Sequence, residues 1–278
     1  MTQSYKYQNP ENLRQDQYKD SSNLNARIAL HRQFTIAEQE WLPWVFNQIA
    51  LQPGEDVLEC GGGPGWLWRE NLDRLPPGCH VSFTDLSAGM VAEAQTALAH
   101  AANRFIFQTV NIMDLPFDDD SFDVVIANHM LYHVPDRPEA LAKIKRVLKA
   151  DGRFLATTNG KKHLVELRDL GRDLLPLSWM PTQEPTPEET PIARGFRLED
   201  GRAQLQPFFS HVELHPYHSH LAVTEVEPLL NYILSSSEAR EYISDERRQQ
   251  VADYVRQIIA EKGHFHISKE SGIFIARL

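Results

Sequence analysis

The sequence contains few cysteines and no long hydrophobic run. Cys60 and Cys79 are the only two among 278 residues, and two cysteines form neither a metal-ligand spacing nor a disulfide framework. No stretch approaches the roughly 18 consecutive apolar residues that span a bilayer, and the polar start of the chain lacks the apolar core of a signal peptide. These absences predict a cytoplasmic protein without a metal site or a membrane partner.

Basic residues are also scarce. The chain has 28 Lys and Arg against 38 Asp and Glu, a formal net charge of −10. Because nucleic acids are bound through positive surfaces, we expect no nucleic-acid partner. Nothing in the composition indicates the oligomeric state. Since 42% of the residues are hydrophobic, the chain can bury a large core, as one domain or as one domain with an insertion.

Strands and helices alternate through the first half of the chain. Two amphipathic helices are predicted before residue 50, and a series of strands separated by helices follows. The strands are predicted at 56–60, 80–85, 105–110, 122–128 and 153–159. Such alternation implies right-handed crossovers and therefore an α/β fold, a Rossmann-like, doubly wound and mostly parallel sheet.

The pattern changes after Gly160. A proline-rich segment, 176–191, is predicted to be a loop, and strands at 211–223 and 265–278 enclose two further helices. We predict a helical cap over 1–50 and a core over 51–160. The remainder, 161–278, is predicted to form a helical lid and an antiparallel edge of the sheet.

A glycine-rich stretch, "VLECGGGPGWLW" from Val57 to Trp68, ends the first predicted strand. Glycines there let a ligand approach the backbone, at the end of the sheet where ligands bind. A dinucleotide site has the spacing G-x-G-x-x-G, but counting from Gly61 its third glycine is replaced by Trp66. The spacing present is an acidic residue followed by three alternating glycines, Glu59, Gly61, Gly63 and Gly65.

From Val57 to Thr158 this order of motifs resembles the class I S-adenosylmethionine-dependent methyltransferases (type 11/25-like). The likeness includes "VSFTDLSAGM", "VNIMDLPFDDDSFDVVIAN" and "LKADGRFLATT". It implies S-adenosylmethionine as cofactor and S-adenosylhomocysteine as product. Asp85 would accept hydrogen bonds from the ribose hydroxyls, and Asn128 would lie beside the methionine portion.

The resemblance also assigns the adenine and the N-terminal contacts. Leu86 and Met90 would pack on the adenine, Asn111 would accept from its amino group, and Ile112 would supply a backbone N–H. Tyr18 and Arg27 are predicted to come from the N-terminal segment. The full set predicted to bind the cofactor is Tyr18, Arg27, Glu59, Gly61, Gly62, Gly63, Gly65, Asp85, Leu86, Met90, Asn111, Ile112 and Asn128.

"NHMLYHVPD" follows the fourth predicted strand, where acceptor and cofactor should meet. His129, Tyr132 and His133 are the candidate catalytic residues, since histidine suits a base near neutral pH. Each could instead serve only the fold, as His133 would at the start of a helix. The later histidines, His211, His215, His218 and His220, are interpreted as the surface of an edge strand rather than as a metal site.

The sequence therefore predicts an enzyme that methylates a small molecule at O, N or C. Methylation of tRNA or protein is a second interpretation, although the acidic charge disfavours it. A protein that binds the cofactor without turnover is a third, because the glycine loop and Asp85 serve binding alone. The acceptor is expected to enter between the N-terminal segment and the late helices.

Overall fold

The computed structural model describes residues 22–174, 195–235 and 243–278, without side chains at 22–27 and 171–174. Tyr18 and the loop predicted at 176–191 lie outside the described residues, and only the backbone of Arg27 is described. Within the described ranges, no helix combines the length and the apolar character needed to cross a membrane.

Eight strands form one sheet. They are β1 (Thr35–Ile36), β2 (Asp56–Cys60), β3 (His80–Asp85), β4 (Phe105–Thr109), β5 (Phe122–Asn128), β6 (Leu148–Asn159), β7 (His211–Val223) and β8 (Phe265–Arg277). Their order across the sheet is β1-β7-β8-β6-β5-β2-β3-β4. The five strands β2 to β6 are parallel to one another. The predicted mostly parallel, doubly wound sheet is thus confirmed.

The antiparallel part of the sheet is larger than predicted. β8 runs antiparallel to both of its neighbours, β6 and β7, so it is inserted in the sheet rather than placed at its edge. The edge itself is the two-residue β1, which is antiparallel to β7. Strand β6 begins earlier than the predicted residue 153, because the residues "KADG", 149–152, lie within it, where the pairing with β5 changes register.

The helices are α1 (Ser22–Phe34), α2 (Trp41–Ile49), α3 (Trp66–Arg69), α4 (Ala88–Ala97), α5 (Arg137–Val147), α6 (Val165–Leu174), α7 (Leu198–Leu205), α8 (Val226–Ile233) and α9 (Asp245–Lys262). Side-chain caps begin three of them. At α4, Ser87 Oγ accepts a hydrogen bond from Met90 N, and the side chains of Asp136 and Ser244 accept from Glu139 N and Arg247 N at the starts of α5 and α9. Such caps satisfy backbone N–H groups that the helix leaves unpaired.

Alternation along the strands divides the core between the two faces of the sheet. Leu58 packs on one face with residues of α5 and α7, and its neighbour Val57 packs on the other with residues of α2 and α4. Both side chains are fully buried. This two-sided burial explains why the central strands are almost continuously apolar.

A third core lies beyond the carboxyl end of β6. β8 pairs with β6 only from Ser271 onward, whereas it pairs with β7 back to Phe265. The six residues 265–270 therefore extend about 20 Å past β6 at the usual rise. Buried residues of α1, α6, α8 and α9 share one cluster with this extension, so the N-terminal and the late helices form one layer above the same end of the sheet.

Candidate active site

A cavity of about 920 Å³ lies at the carboxyl ends of the parallel strands, between the sheet and the helical layer. Of the residues predicted to bind the cofactor, those on its wall are Gly61, Gly62, Gly63, Asp85, Leu86, Met90, Asn111, Ile112 and Asn128. The three predicted catalytic residues, His129, Tyr132 and His133, line it as well. The tertiary structure thus brings together twelve of the sixteen predicted residues.

The glycine loop between β2 and α3 contributes bare backbone to the cavity. Gly63 has a φ of +58°, and a Cβ built on it would meet no atom within 4 Å. At Gly62 the situation is opposite, since a Cβ would lie 2.3 Å from the Phe83 ring. Gly62 is therefore needed for packing beneath the loop, whereas Gly63 borders open space.

Asp85 ends β3 and binds the glycine loop. Its Oδ2 accepts a hydrogen bond from Gly63 N at 2.9 Å, and its Oδ1 accepts one from Ser87 N at 2.8 Å. Burial raises the pKa of this carboxyl, and the backbone N–H groups of Ser87, Gly63 and Leu86 oppose that change. A carboxylate has about four acceptor sites, so both oxygens retain capacity for a ligand.

Glu59 and Gly65, although predicted to bind the cofactor, are not on the cavity wall. The Glu59 side chain is buried below the loop, where its Oε2 accepts a hydrogen bond from Trp68 Nε1 at 2.5 Å. Gly65 allows close helix packing, because a Cβ there would lie 3.2 Å from Ala94 Cβ. Both residues support the loop from behind.

The buried carboxyl of Glu59 predicts a pH dependence of stability. Burial raises its pKa from 4.5 to about 8. Between these two values the folded protein holds one proton more than the unfolded chain, so stability falls as pH rises, by at most about 1.4 kcal/mol per pH unit.

Glu59→Gln keeps an acceptor for Trp68 and removes this titration. Urea unfolding from pH 5 to pH 8 should therefore show the variant gaining stability relative to the unsubstituted protein as pH rises. A difference that stays constant over this range would contradict the assignment.

The end of β5 is held by a chain of hydrogen bonds. His129 N donates to Thr157 Oγ1 at 2.9 Å, and Thr157 Oγ1 donates to Asn128 Oδ1 at 2.5 Å. His129 has a φ of +53°, and its ring centroid lies 5.1 Å from that of Trp41. Burial, followed by the charge of Lys269, lowers the pKa of His129 to about 4. The imidazole is thus neutral at pH 7 and accepts a proton only weakly.

Tyr132 and His133 lie in the short 3₁₀ helix Leu131–His133 that follows β5. Their ring centroids are 4.5 Å apart, and the Tyr132 ring lies 6.5 Å from that of His129. The three side chains thus form one aromatic cluster on the cavity wall. A small molecule in contact with this cluster would lie beside Asn128.

Comparison with known families identifies the segment that carries most of these residues. The sequence profile described as "Methyltransferase domain" matches residues 58–156. These residues form a methyltransferase domain. The match begins within β2 and ends within β6, so it contains the glycine loop, Asp85 and the aromatic cluster after β5.

Curated relatives resemble the methyltransferase domain and only part of the rest. The ubiquinone/menaquinone biosynthesis C-methyltransferase of Paracoccus denitrificans is 33% identical over 128 residues, 45% of this chain and 48% of that protein. The malonyl-[acyl-carrier protein] O-methyltransferase of Erwinia billingiae is 34% identical over 137 residues, 48% of this chain and 47% of that protein. The chain thus spans about half the length of these two relatives.

Solved structures share the fold across a longer part of the chain. Phosphoethanolamine N-methyltransferase 2 of Haemonchus contortus, solved with S-adenosyl-L-methionine, has a TM-score of 0.57 at 17% identity, covering 98% of this chain and 59% of that one. The YcgJ protein of Bacillus subtilis has a TM-score of 0.54 at 17% identity, covering 85% and 98%. At this identity the likeness establishes the fold alone.

Sequence reasoning missed the side of the cavity opposite the glycine loop of the methyltransferase domain. Trp41, Asn159, His163, Tyr217 and Lys269 all line the cavity, and none was predicted. A signal was present at Lys269, because "SKES" interrupts an otherwise apolar strand pattern. The pairing of β8 with β6 and β7 brings Tyr217 and Lys269 to the cavity.

Proposed function

We propose that this protein transfers the methyl group of S-adenosylmethionine to an oxygen, nitrogen or carbon atom of a small molecule and releases S-adenosylhomocysteine. The observation that carries the proposal is the continuity of the cavity, which extends from Gly63 and Asp85 to the His129–Tyr132–His133 cluster. Ligand pockets commonly measure about 300–1,000 Å³. A cavity of about 920 Å³ therefore has room for the cofactor together with a small acceptor.

The residues present fit this cofactor. The open space at Gly63 admits a ligand against the backbone, and Asp85 keeps acceptor capacity for two ribose hydroxyls. Met90 and Leu86 offer an apolar surface to the adenine. Asn111 Oδ1 already accepts a hydrogen bond from Met113 N at 3.1 Å, and its second lone pair suits the adenine amino group.

When bound, the sulfonium of S-adenosylmethionine supplies an electrophilic methyl group. This chain then has to hold the nucleophile in line with the methyl carbon and the departing sulfur, and to exclude water. In favourable cases such positioning accounts for roughly 7–11 kcal/mol of the activation barrier. Thr157 holds both Asn128 and His129 by hydrogen bonds. We propose that these two residues form one rigid wall of the site where the methyl group is transferred. With a pKa of about 4, His129 is better suited to orient an acceptor by a hydrogen bond than to remove its proton.

We further propose that the three predicted segments divide this work. The core, 51–160, binds the cofactor, and the cap, 1–50, covers the cavity through His31 and Trp41. The last segment, 161–278, covers it beside the cap through His163 and Tyr232, whose ring lies 5.9 Å from that of His31, and its strands β7 and β8 also complete the sheet. The acceptor would enter between cap and lid.

Two measurements test the proposal. Calorimetry should detect binding of S-adenosylhomocysteine, with no binding of NADH at the same concentration. Release of S-adenosylhomocysteine from S-adenosylmethionine should then rise when a small-molecule metabolite fraction is added, and should not rise with tRNA or protein. Binding of S-adenosylhomocysteine without any turnover of S-adenosylmethionine would favour the third interpretation, a protein that binds the cofactor without catalysis. Binding of NADH alone would overturn the proposed cofactor.

A further inference from the structure

Lys269 places a positive charge on the cavity wall away from the glycine loop. It belongs to β8, which lies three strands from β2 across β6 and β5. At the usual spacing of about 4.8 Å, this separates the two strands by roughly 14 Å. Lys269 is thus on the side where the acceptor would bind, beyond the aromatic cluster that follows β5.

No carboxylate in the described parts of the chain forms an ion pair with Lys269. The acidic residues nearest to it along the strand and in α6 have other partners: Glu270 accepts from Lys162 N, and Glu166 accepts from Ser268. The contacts of the Lys269 ammonium are Thr35 Oγ1 at 3.4 Å and the face of the Tyr217 ring, 5.8 Å from its centroid. The other basic residue on the cavity wall, Arg32, is paired with Glu70.

The neighbours of Lys269 do not compensate its charge either. Burial lowers the pKa of His31 to about 3 and that of His163 well below its usual range, so both are neutral. His163 Nδ1 accepts a hydrogen bond from Glu270 N, which leaves the proton on Nε2. His31 Nδ1 is buried without a hydrogen-bond partner among the described residues. Both histidines line the cavity.

A partly buried charge without an ionic partner is costly, and burial accordingly lowers the pKa of Lys269 to about 8. An ammonium has three donors and no acceptor, and a neutral imidazole offers a further donor. The ligand group that satisfies this set is an acceptor carrying one negative charge. A carboxylate has that charge and two acceptor oxygens, and charge-assisted hydrogen bonds of this type are among the strongest.

We propose that Lys269 binds a carboxylate of the methyl acceptor, so that the acceptor is a small organic acid whose nucleophile reaches Asn128 and His129. This inference rests on the proposed function, because it assigns the substrate class of the same cavity. Trp41, Tyr132 and Tyr217 on the wall add aromatic surface that suits the body of such an acid.

The test compares acids with uncharged ligands of nearly the same shape. A panel of aromatic and aliphatic hydroxy acids, beginning with 4-hydroxybenzoate, is titrated beside the corresponding primary amides, with and without saturating S-adenosylhomocysteine. We expect acids of the panel to bind at least about tenfold more tightly than their amides, as hydrogen bonds to charged groups imply. The proposal is wrong if no acid binds more tightly than its amide.

Variants assign the preference to Lys269. Lys269→Met should remove the preference for acids and leave the affinity for amides unchanged, and Lys269→Arg should keep it. Lys145→Met, an equal change at an exposed position of α5, should have no effect. A Lys269→Met protein that loses affinity for S-adenosylhomocysteine but still prefers acids would overturn the proposal and assign Lys269 to the carboxylate of the cofactor.

The two proposals fail differently. If the unsubstituted protein does not bind S-adenosylhomocysteine, the proposed function is wrong, while the comparison of acids with amides can still be made on the protein alone. If S-adenosylhomocysteine binds and acids have no advantage, only the assignment of Lys269 is wrong.

Discussion

Gly63→Val is expected to weaken S-adenosylhomocysteine binding by about 100-fold or more, equivalent to about 2.7 kcal/mol. In the protein itself the new side chain has room, since a Cβ at Gly63 meets nothing within 4 Å. That room is the space proposed for the cofactor, so valine and ligand would overlap. Calorimetry of the folded variant measures the loss directly.

Gly54→Val is the matched control. Gly54 also has a positive φ, +83°, and open space around a Cβ, but it is not among the residues of the cavity wall. Both variants therefore bear a similar backbone strain, of about 1–2 kcal/mol, and only Gly63→Val should lose affinity. If Gly63→Val does not fold, the same calorimetric comparison is made with Gly63→Ala. Equal ligand affinity in the two variants would contradict the cofactor site.

Asp85→Ala is expected to weaken cofactor binding by about 3–6 kcal/mol, because two hydrogen bonds from ribose hydroxyls to a charged group contribute roughly 1.5–3 kcal/mol each. Calorimetry with S-adenosylhomocysteine measures the loss, and thermal unfolding checks that the variant is folded. An unchanged affinity would remove Asp85 from the cofactor site.

The Asp85 side chain also anchors the loop, so a second comparison is needed. Alanine removes the acceptor of Gly63 N and Ser87 N, which could weaken binding without any ribose contact. A cofactor analogue that lacks a ribose hydroxyl separates the two effects. The unsubstituted protein should prefer S-adenosylhomocysteine over its 2′-deoxy analogue, and Asp85→Ala should bind the two almost equally.

The part of the site that could be predicted has local signals. Gly61, Gly63, Asp85, Asn111 and Asn128 each lie at or just after the end of a strand that is recognisable from its apolar run, and parallel strands bring their carboxyl ends to one edge. The motif spacing therefore suffices to place these residues on one wall of the cavity. The same reasoning assigned Glu59 and Gly65 to the ligand. Sequence alternation alone does not distinguish the cavity side of a loop from the packed side beneath it.

The sequence by itself determined the α/β class, the parallel direction of β2 to β6 and the glycine-loop wall of the cavity, because each depends on patterns within a few tens of residues. The tertiary structure alone decided where β8 inserts, and with it that Lys269 and His163 reach the same cavity as His129. Lys269 lies more than a hundred positions from His129 along the chain. The two residues reach one cavity through antiparallel strand pairing, and no local pattern specifies the register of that pairing. Burial likewise decided that His129 is neutral and weakly basic, since the pKa of a histidine depends on the solvent that the fold excludes.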